Sequence, residues 1–219
     1  MRASFTVGAI AATVSLSLGG CKIEKTVVAS GPASSTSVFI NDASFNPDTL
    51  VAEDWDAKLV PGLRAKAGPY DEVAAAIANN PDAAGERYGF REQQTGAPWT
   101  YAATVEGVVI SANTASRAGA IEVRTDGGNT VTLQIGPVLR GTALRDSDPA
   151  RPFSSFRNQV DYAQFARALN ARANADALAK MPRDKLLGSH VSALGVFQPD
   201  PGNHSPLVTP VAITVEPKT

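Results

Sequence analysis

The spacing of apolar residues changes period once along the chain, near Pro98-Trp99. Before that point it is helical. Asn46-Pro47-Asp48 has the form of an N-cap followed by proline at the first helical position. Leu50, Trp55, Leu59 and Leu63 then recur at roughly helical spacing, and Pro61-Gly62 predicts a break. Asp71 to Ala78 is predicted as a second helix, opened by Gly68-Pro69 and closed by Asn79-Asn80-Pro81, with Asp82 to Tyr88 as a third. After Trp99 the period falls to 2. Thr104 to Ala112, Ala120 to Arg124 and Thr130 to Ile135 read as strands, the last two joined by the hairpin signal Asp126-Gly127-Gly128-Asn129. Asn158 to Lys180 is the clearest helix, with Tyr162, Phe165, Ala166, Leu169 and Ala173 on one face. Ser189 to Phe197 and Leu207 to Val215 are two final strands around a Pro/Gly turn, Gln198 to Pro206.

Strand, strand, strand, helix, strand, strand is the element order of the OB-fold, a five-stranded Greek-key barrel with a helix between its third and fourth strands. The expectation is an α+β chain: an OB-like five-stranded β-barrel over residues 100–219, preceded by a small helical region over residues 45–99. The helix would plug one end of the barrel, which accounts for an apolar face rich in alanine and aromatic residues. A different half-open barrel or α+β sheet is the alternative.

Upstream of the fold, Arg2 precedes an apolar run from Val7 to Leu18, too short for the roughly 20 residues of a membrane span. Gly19 and Gly20 supply small residues before the single cysteine, and Leu18-Gly19-Gly20-Cys21 resembles the lipobox of bacterial lipoproteins. That resemblance implies a signal peptide over residues 1–20, acylation of the Cys21 thiol and its new amine, and a chain held at the bacterial membrane, facing the periplasm. An uncleaved helix with a buried free cysteine is the alternative. Lys22 to Ser37 is rich in Ser, Thr, Ala, Gly and Pro, so residues 21–44 read as an acylated cysteine with a flexible tether.

Charge narrows the partners. The chain has 20 Lys and Arg against 21 Asp and Glu, with no basic block, which argues against nucleic acid. One cysteine and two histidines, His190 and His204, cannot build a Cys/His metal cluster, and no cofactor is expected. There is no Gly-x-Ser-x-Gly elbow, paired-histidine helix motif or Walker loop. His190 reads as a strand residue and His204 as a loop residue, so nothing requires an enzyme.

The densest polar cluster is the run from Ile135 to Asp146, interrupted by Gly136-Pro137 and Gly141. Arg140 and Arg145, with Thr142 and Asp146 beside them, offer guanidinium forks to a carboxylate, phosphate or hydroxyl-rich partner. The competing reading has both arginines pairing with Asp146, Asp148 or Asp161 and pinning the loop. Arg117, in the turn Ser116-Arg117-Ala118-Gly119, falls in the loop class that OB-folds use for binding. Trp99 and Tyr101, near Tyr88 and Phe90, are expected to pack the junction of helices and barrel. Asp126 to Asn129 has too few oxygen ligands for calcium and reads as a turn.

Tyr88-Gly89-Phe90-Arg91-Glu92, Pro98-Trp99, Ser116 to Gly119, the Ile135 to Asp146 run, Phe153, Phe156 and Asn158-Gln159 form a set of short words spread over most of the chain. Together they resemble a bacterial family of predicted periplasmic lipoproteins, labelled domain of unknown function 2291. The family carries no established reaction. Its members often lie near genes for sugar or polyol ABC importers, which implies an accessory role in uptake. The sequence therefore predicts a non-catalytic binding or accessory module in the cell envelope, with the membrane and a transporter component or small ligand as partners. The rivals are a carbohydrate-active enzyme using paired carboxylates such as Glu106, Glu122 or Asp161, and a purely structural envelope protein.

Overall fold

The computed structural model describes residues 45–92, 96–200, 202 and 205–218, which fall in one compact unit. The expected leader and tether, Cys21 and His204 lie outside the described residues. Helix α1 (Pro47–Asp54) begins as its sequence dictates: the Asn46 side chain accepts the N–H groups of Asp48 and Thr49, and Pro47 takes the position where no donor is needed.

The expected break at Pro61-Gly62 does not occur. The chain passes through a π turn (Trp55–Leu59) into α2 (Val60–Lys66), and the Val60 N–H bonds the Trp55 carbonyl five residues back. A wider turn relieves the crowding that a proline ring causes against the carbonyl four residues before it, so Pro61 is accommodated instead of ending the helix. Val51, Trp55, Leu59 and Leu63 all remain buried. Helices α3 (Tyr70–Asn79) and α4 (Pro81–Tyr88) follow, with Asn80 capping the second through its hydrogen bond from Ala83 N–H.

Two short strands escape a reading based on periodicity, because two residues carry no period. β1 (Gly68–Pro69) pairs parallel, and β2 (Gly89–Phe90) antiparallel, with the start of the first long strand. That strand, β3 (Thr100–Asn113), begins before Thr104 because Tyr101, Ala102 and Ala103 are buried on both faces and show no alternation. β4 (Ala120–Thr125) and β5 (Thr130–Gln134) form the expected hairpin. After α5 (Ala143–Asp146), α6 (Gln159–Ala173) and a second π turn (Asn174–Leu178) come β6 (His190–Phe197) and β7 (Leu207–Glu216).

The long strands close into a barrel. β3 pairs antiparallel with β4, β4 with β5, β6 with β7 and β3 with β6, while β5 and β7 run parallel through Thr132–Leu207 and Leu133–Val208. This is the OB-fold. Gly107 sits where β3 meets both neighbours; a Cβ there would lie 2.1 Å from the Arg124 carbonyl oxygen, so only glycine permits the approach. Inside, Val105, Val109, Ile121, Val123, Leu133, Val191 and Val208 form one core with Phe165, Leu169 and Leu178 of the α6 segment and with Trp55, Leu63 and Val73 of the helical region. Asn158 caps α6 by accepting from Val160 and Asp161 N–H.

Candidate functional site

The run from Ile135 to Asp146 leaves the barrel at the end of β5, and side chains from β5, α6 and the loop before β6 satisfy its backbone. Gly136-Pro137 ends the ladder, so carbonyls and N–H groups need other partners. Gln134, 3% exposed, accepts the Arg140 N–H at 2.7 Å and donates to the Arg140 carbonyl at 3.0 Å and to Thr209 Oγ1 at 2.8 Å. Asn170 of α6 donates to the Gly141 carbonyl at 3.1 Å and Arg183 to the Ile135 carbonyl. Gly141 takes a φ of +87°, which turns the chain after Arg140.

The same segment is joined to the turn that carries Arg117. The Gly119 carbonyl accepts both the Ile135 and Gly136 N–H at 2.9 Å, and the Arg117 carbonyl accepts the Val138 N–H at 3.0 Å. A Cβ on Gly136 would stand 2.3 Å from the Arg117 carbonyl oxygen, so the two loops meet backbone to backbone. Arg117, Val138 and Arg140 are exposed on this joint surface. Neither the Arg117 nor the Arg140 guanidinium has a hydrogen bond or ion pair among the described residues.

Arg145 and Asp146 are arranged differently. Arg145 Nε and Nη2 both donate to Asp146 Oδ1, at 2.8 and 2.6 Å, and the guanidinium lies 3.9 Å from the Tyr162 ring centroid. The other Asp146 oxygen accepts from Thr142 Oγ1 at 2.7 Å and from Gln198 Nε2 at 3.1 Å. Arg145, Thr142 and Asp146 thus tie α5 to α6 and to the end of β6. Of the two arginines expected to act together, Arg145 is engaged on a neighbouring carboxylate and Arg140 is not. The other exposed arginine on the joined loops is Arg117, 23 positions earlier in the sequence.

Gln134, Asn170 and Arg183 were not singled out by sequence reasoning. Nothing in their local pattern marks them; only the gap in backbone pairing after β5, announced by Gly136-Pro137, predicts that some side chain must fill it.

The carboxylates stand apart. Glu106 and Glu122 are exposed on the outer face of β3 and β4, and Glu122 registers with Ser111, five positions along β3 from Glu106, a separation of about 15 Å. Asp161, 5% exposed, accepts Arg157 Nε at 2.8 Å. Among the described residues no group of three or more His, Cys, Asp and Glu gathers at metal-holding distance. The turn Asp126 to Asn129 is pinned by Asp71 of α3, which accepts from Thr125 Oγ1 at 2.6 Å, Gly127 N–H at 3.0 Å and Asn129 Nδ2 at 2.7 Å. Burial raises the Asp71 pKa, and these hydrogen bonds outweigh it and bring it below its ordinary value.

The aromatic junction packs as its position implies. Tyr101 stacks on Phe197 with centroids 5.8 Å apart and donates to the Pro81 carbonyl, while the Trp99 indole N–H donates to Asp82 at 2.8 Å. An open groove of about 430 Å³ lies where the start of α1 meets α6, lined by Pro47, Asp48, Gln164, Arg167, Ala168 and Ala171, and contains none of the expected site residues. No helix among the described residues is long and apolar enough to cross a membrane.

A closed OB barrel with a helical layer on it, bearing exposed arginines on two rigidly joined loops, defines the class. Within that class the chain belongs to the family of predicted periplasmic lipoproteins, DUF2291, whose profile matches residues 11–214. The chain is similar to an OB-fold protein from Thermotoga maritima, with a TM-score of 0.60 at 15% identity over 78% of this chain and 99% of that one. At that identity the likeness concerns the fold. No curated protein matches the chain.

Proposed function

We propose that this periplasmic lipoprotein is a non-catalytic binding or accessory module, held at the membrane by lipid on Cys21, that uses the joint surface of Arg117, Val138 and Arg140 to hold a transporter component or a small anionic or hydroxyl-rich ligand. A sugar or polyol importer is the partner implied by the gene neighbourhoods of the family. The observation that carries the reading is the immobilised Arg140 loop. Buried Gln134 and half-buried Asn170 and Arg183 fix its backbone, while the Arg140 side chain, like that of Arg117, has no hydrogen bond or ion pair among the described residues. Holding a charged group in place before binding reduces the ordering cost of association. The wide separation of Glu106 and Glu122 speaks against the glycosidase alternative, which needs two carboxyl groups within about 5–10 Å.

The test compares arginine variants by thermal melting and by pull-down from solubilised envelope with candidate transporter proteins probed first. Arg117→Ala and Arg140→Ala are expected to leave the melting temperature unchanged and to weaken capture by about tenfold or more, the scale of an arginine hot spot. Arg145→Ala is expected to do the reverse, lowering the melting temperature with capture intact, because it leaves Asp146 short of a partner. Unchanged capture in both Arg117→Ala and Arg140→Ala removes the proposed surface.

Anchoring has its own measurement. Cys21→Ser is expected to give a chain that takes up no fatty-acid analogue in metabolic labelling, since a hydroxyl does not replace the thiol that is alkylated. Equal label on wild type and variant ends the anchoring proposal.

A further inference from the structure

Between α5 and α6 lies a carboxyl group with one unanswered oxygen. Asp148 is 5% exposed; its Oδ1 accepts the Ala150 N–H at 3.0 Å, and its Oδ2 is buried without a hydrogen-bond partner among the described residues. Asp54 of α1, wholly buried, is by contrast saturated. Lys58 Nζ donates to one oxygen at 2.6 Å, and Arg151 Nε donates to the other while its Nη2 reaches Glu53 at 2.9 Å. The charged groups that act on Asp148 are these: Asp54 on α1, Lys58 on the following π turn, and Arg151 on its own segment. Both cations are already committed to carboxylates of the first helix.

A neutral carboxylic acid fits this position, because it needs no counter-ion. A carboxylate here is a second buried anion beside Asp54, facing cations that are spoken for. Burial, above all, pushes the Asp148 pKa up; the Asp54 charge adds to this, and the Ala150 N–H, Arg151 and Lys58 oppose it without overcoming it.

We propose that Asp148 is a pH-sensitive latch: protonated, it lets residues 147–152 seat against α1 so that Arg151 reaches Asp54 and Glu53, and ionised, it releases that segment. The sign follows from linkage. A carboxyl raised above its value in the open segment stabilises the closed form fully below the ordinary value of 3.8, and that stabilisation is lost as pH rises through the raised value. Asp54 acts with the opposite sign and in a different window. Burial raises its pKa, but the hydrogen bonds and charges of Arg151 and Lys58 prevail and lower it, so its contribution is lost only as pH falls below 3.8. Because the segment leads from α5, where Arg145 holds Asp146, toward α6, its release loosens the connection between those two helices.

Hydrogen exchange in the full chain tests the latch. The amides of Ser147, Asp148 and Arg151 donate to the carbonyls of Ala143, Arg145 and Asp148 in the closed form. Corrected for intrinsic base catalysis, their opening is expected to increase by up to about tenfold per pH unit above the ordinary carboxyl value and then level off, the slope of one proton. Asp148→Asn, which carries no titrating proton, is expected to remove that slope. A variant with the wild-type slope, or wild-type amides indifferent to pH, overturns the proposal. Should Asp148→Asn fail to fold, the carboxyl carbon of wild-type Asp148 is titrated by NMR. Titration above the ordinary range, with the amides of 147–152 shifting in step, supports the latch; titration at the ordinary value overturns it. Neither measurement involves a ligand, so the outcome is independent of the arginine surface.

Discussion

Replacing Phe165 with alanine is expected to destabilise the protein by about 3–5 kcal/mol, the range for removing a fully buried aromatic side chain. Phe165 is completely buried, lies 5.2 Å from the Phe156 ring, and belongs to the same core as the strand residues Ile121, Leu133 and Val208. Its loss therefore removes apolar burial and leaves a cavity that helix and strands cannot both collapse into. A denaturant titration measures it. A change below about 0.5 kcal/mol means that α6 contributes little to the core. Because Trp55 and Leu63 of the helical region share that core, the transition is expected to remain single when followed by far-ultraviolet dichroism and by tryptophan fluorescence.

Gln134→Leu is the second large effect, expected at about 1–3 kcal/mol. Leucine matches the volume closely but offers no amide. The Arg140 N–H and carbonyl and the buried Thr209 hydroxyl then lose the partner that links them. Thr209, 2% exposed, has no access to water in exchange, which is why the cost exceeds that of an ordinary surface hydrogen bond. The variant separates rigidity from charge: capture by Arg140 is expected to weaken although Arg140 itself is unchanged. A melting curve and the same pull-down read both consequences, and a Gln134→Leu protein with wild-type stability shows that Gln134 does not hold the loop.

The barrel was legible because its strands alternate and its turns carry their own chemistry. Val105, Val109, Ile121 and Val123 face inward at a period of two, and Asp126 to Asn129 names its hairpin. Legibility fails where tertiary contact replaces local pattern. Tyr101 to Ala103 are buried on both faces, so the start of β3 shows no period, and Pro61 is absorbed by a π turn that no propensity announces. The candidate site was legible in half. The glycines and proline between Ile135 and Gly141 mark an irregular, held segment, but which arginine is exposed depends on contacts across the fold. Arg145 finds Asp146 and Tyr162, whereas the loop that carries Arg140 is joined to the turn that carries Arg117 only by the apposition of Gly119 and Gly136. Nothing local distinguishes Asp148, whose isolation comes from Arg151 being taken by Asp54.

The pairing of β3 with β6 also dictates when this protein can fold. Gly107 registers with Val191 and Tyr101 with Phe197, and β7 must lie between β5 and β6 before the barrel is closed. Contacts so distant in sequence close slowly, because the intervening loop entropy is lost before they form. Until the last strand is in place, β3, β4 and β5 therefore stand as an open sheet with unpaired edges. The helical region, which precedes the strands in sequence and packs Trp55, Leu63 and Val73 into the same core, is available to cover Tyr101 and its neighbours during that interval, and β1 and β2 lie along the start of β3.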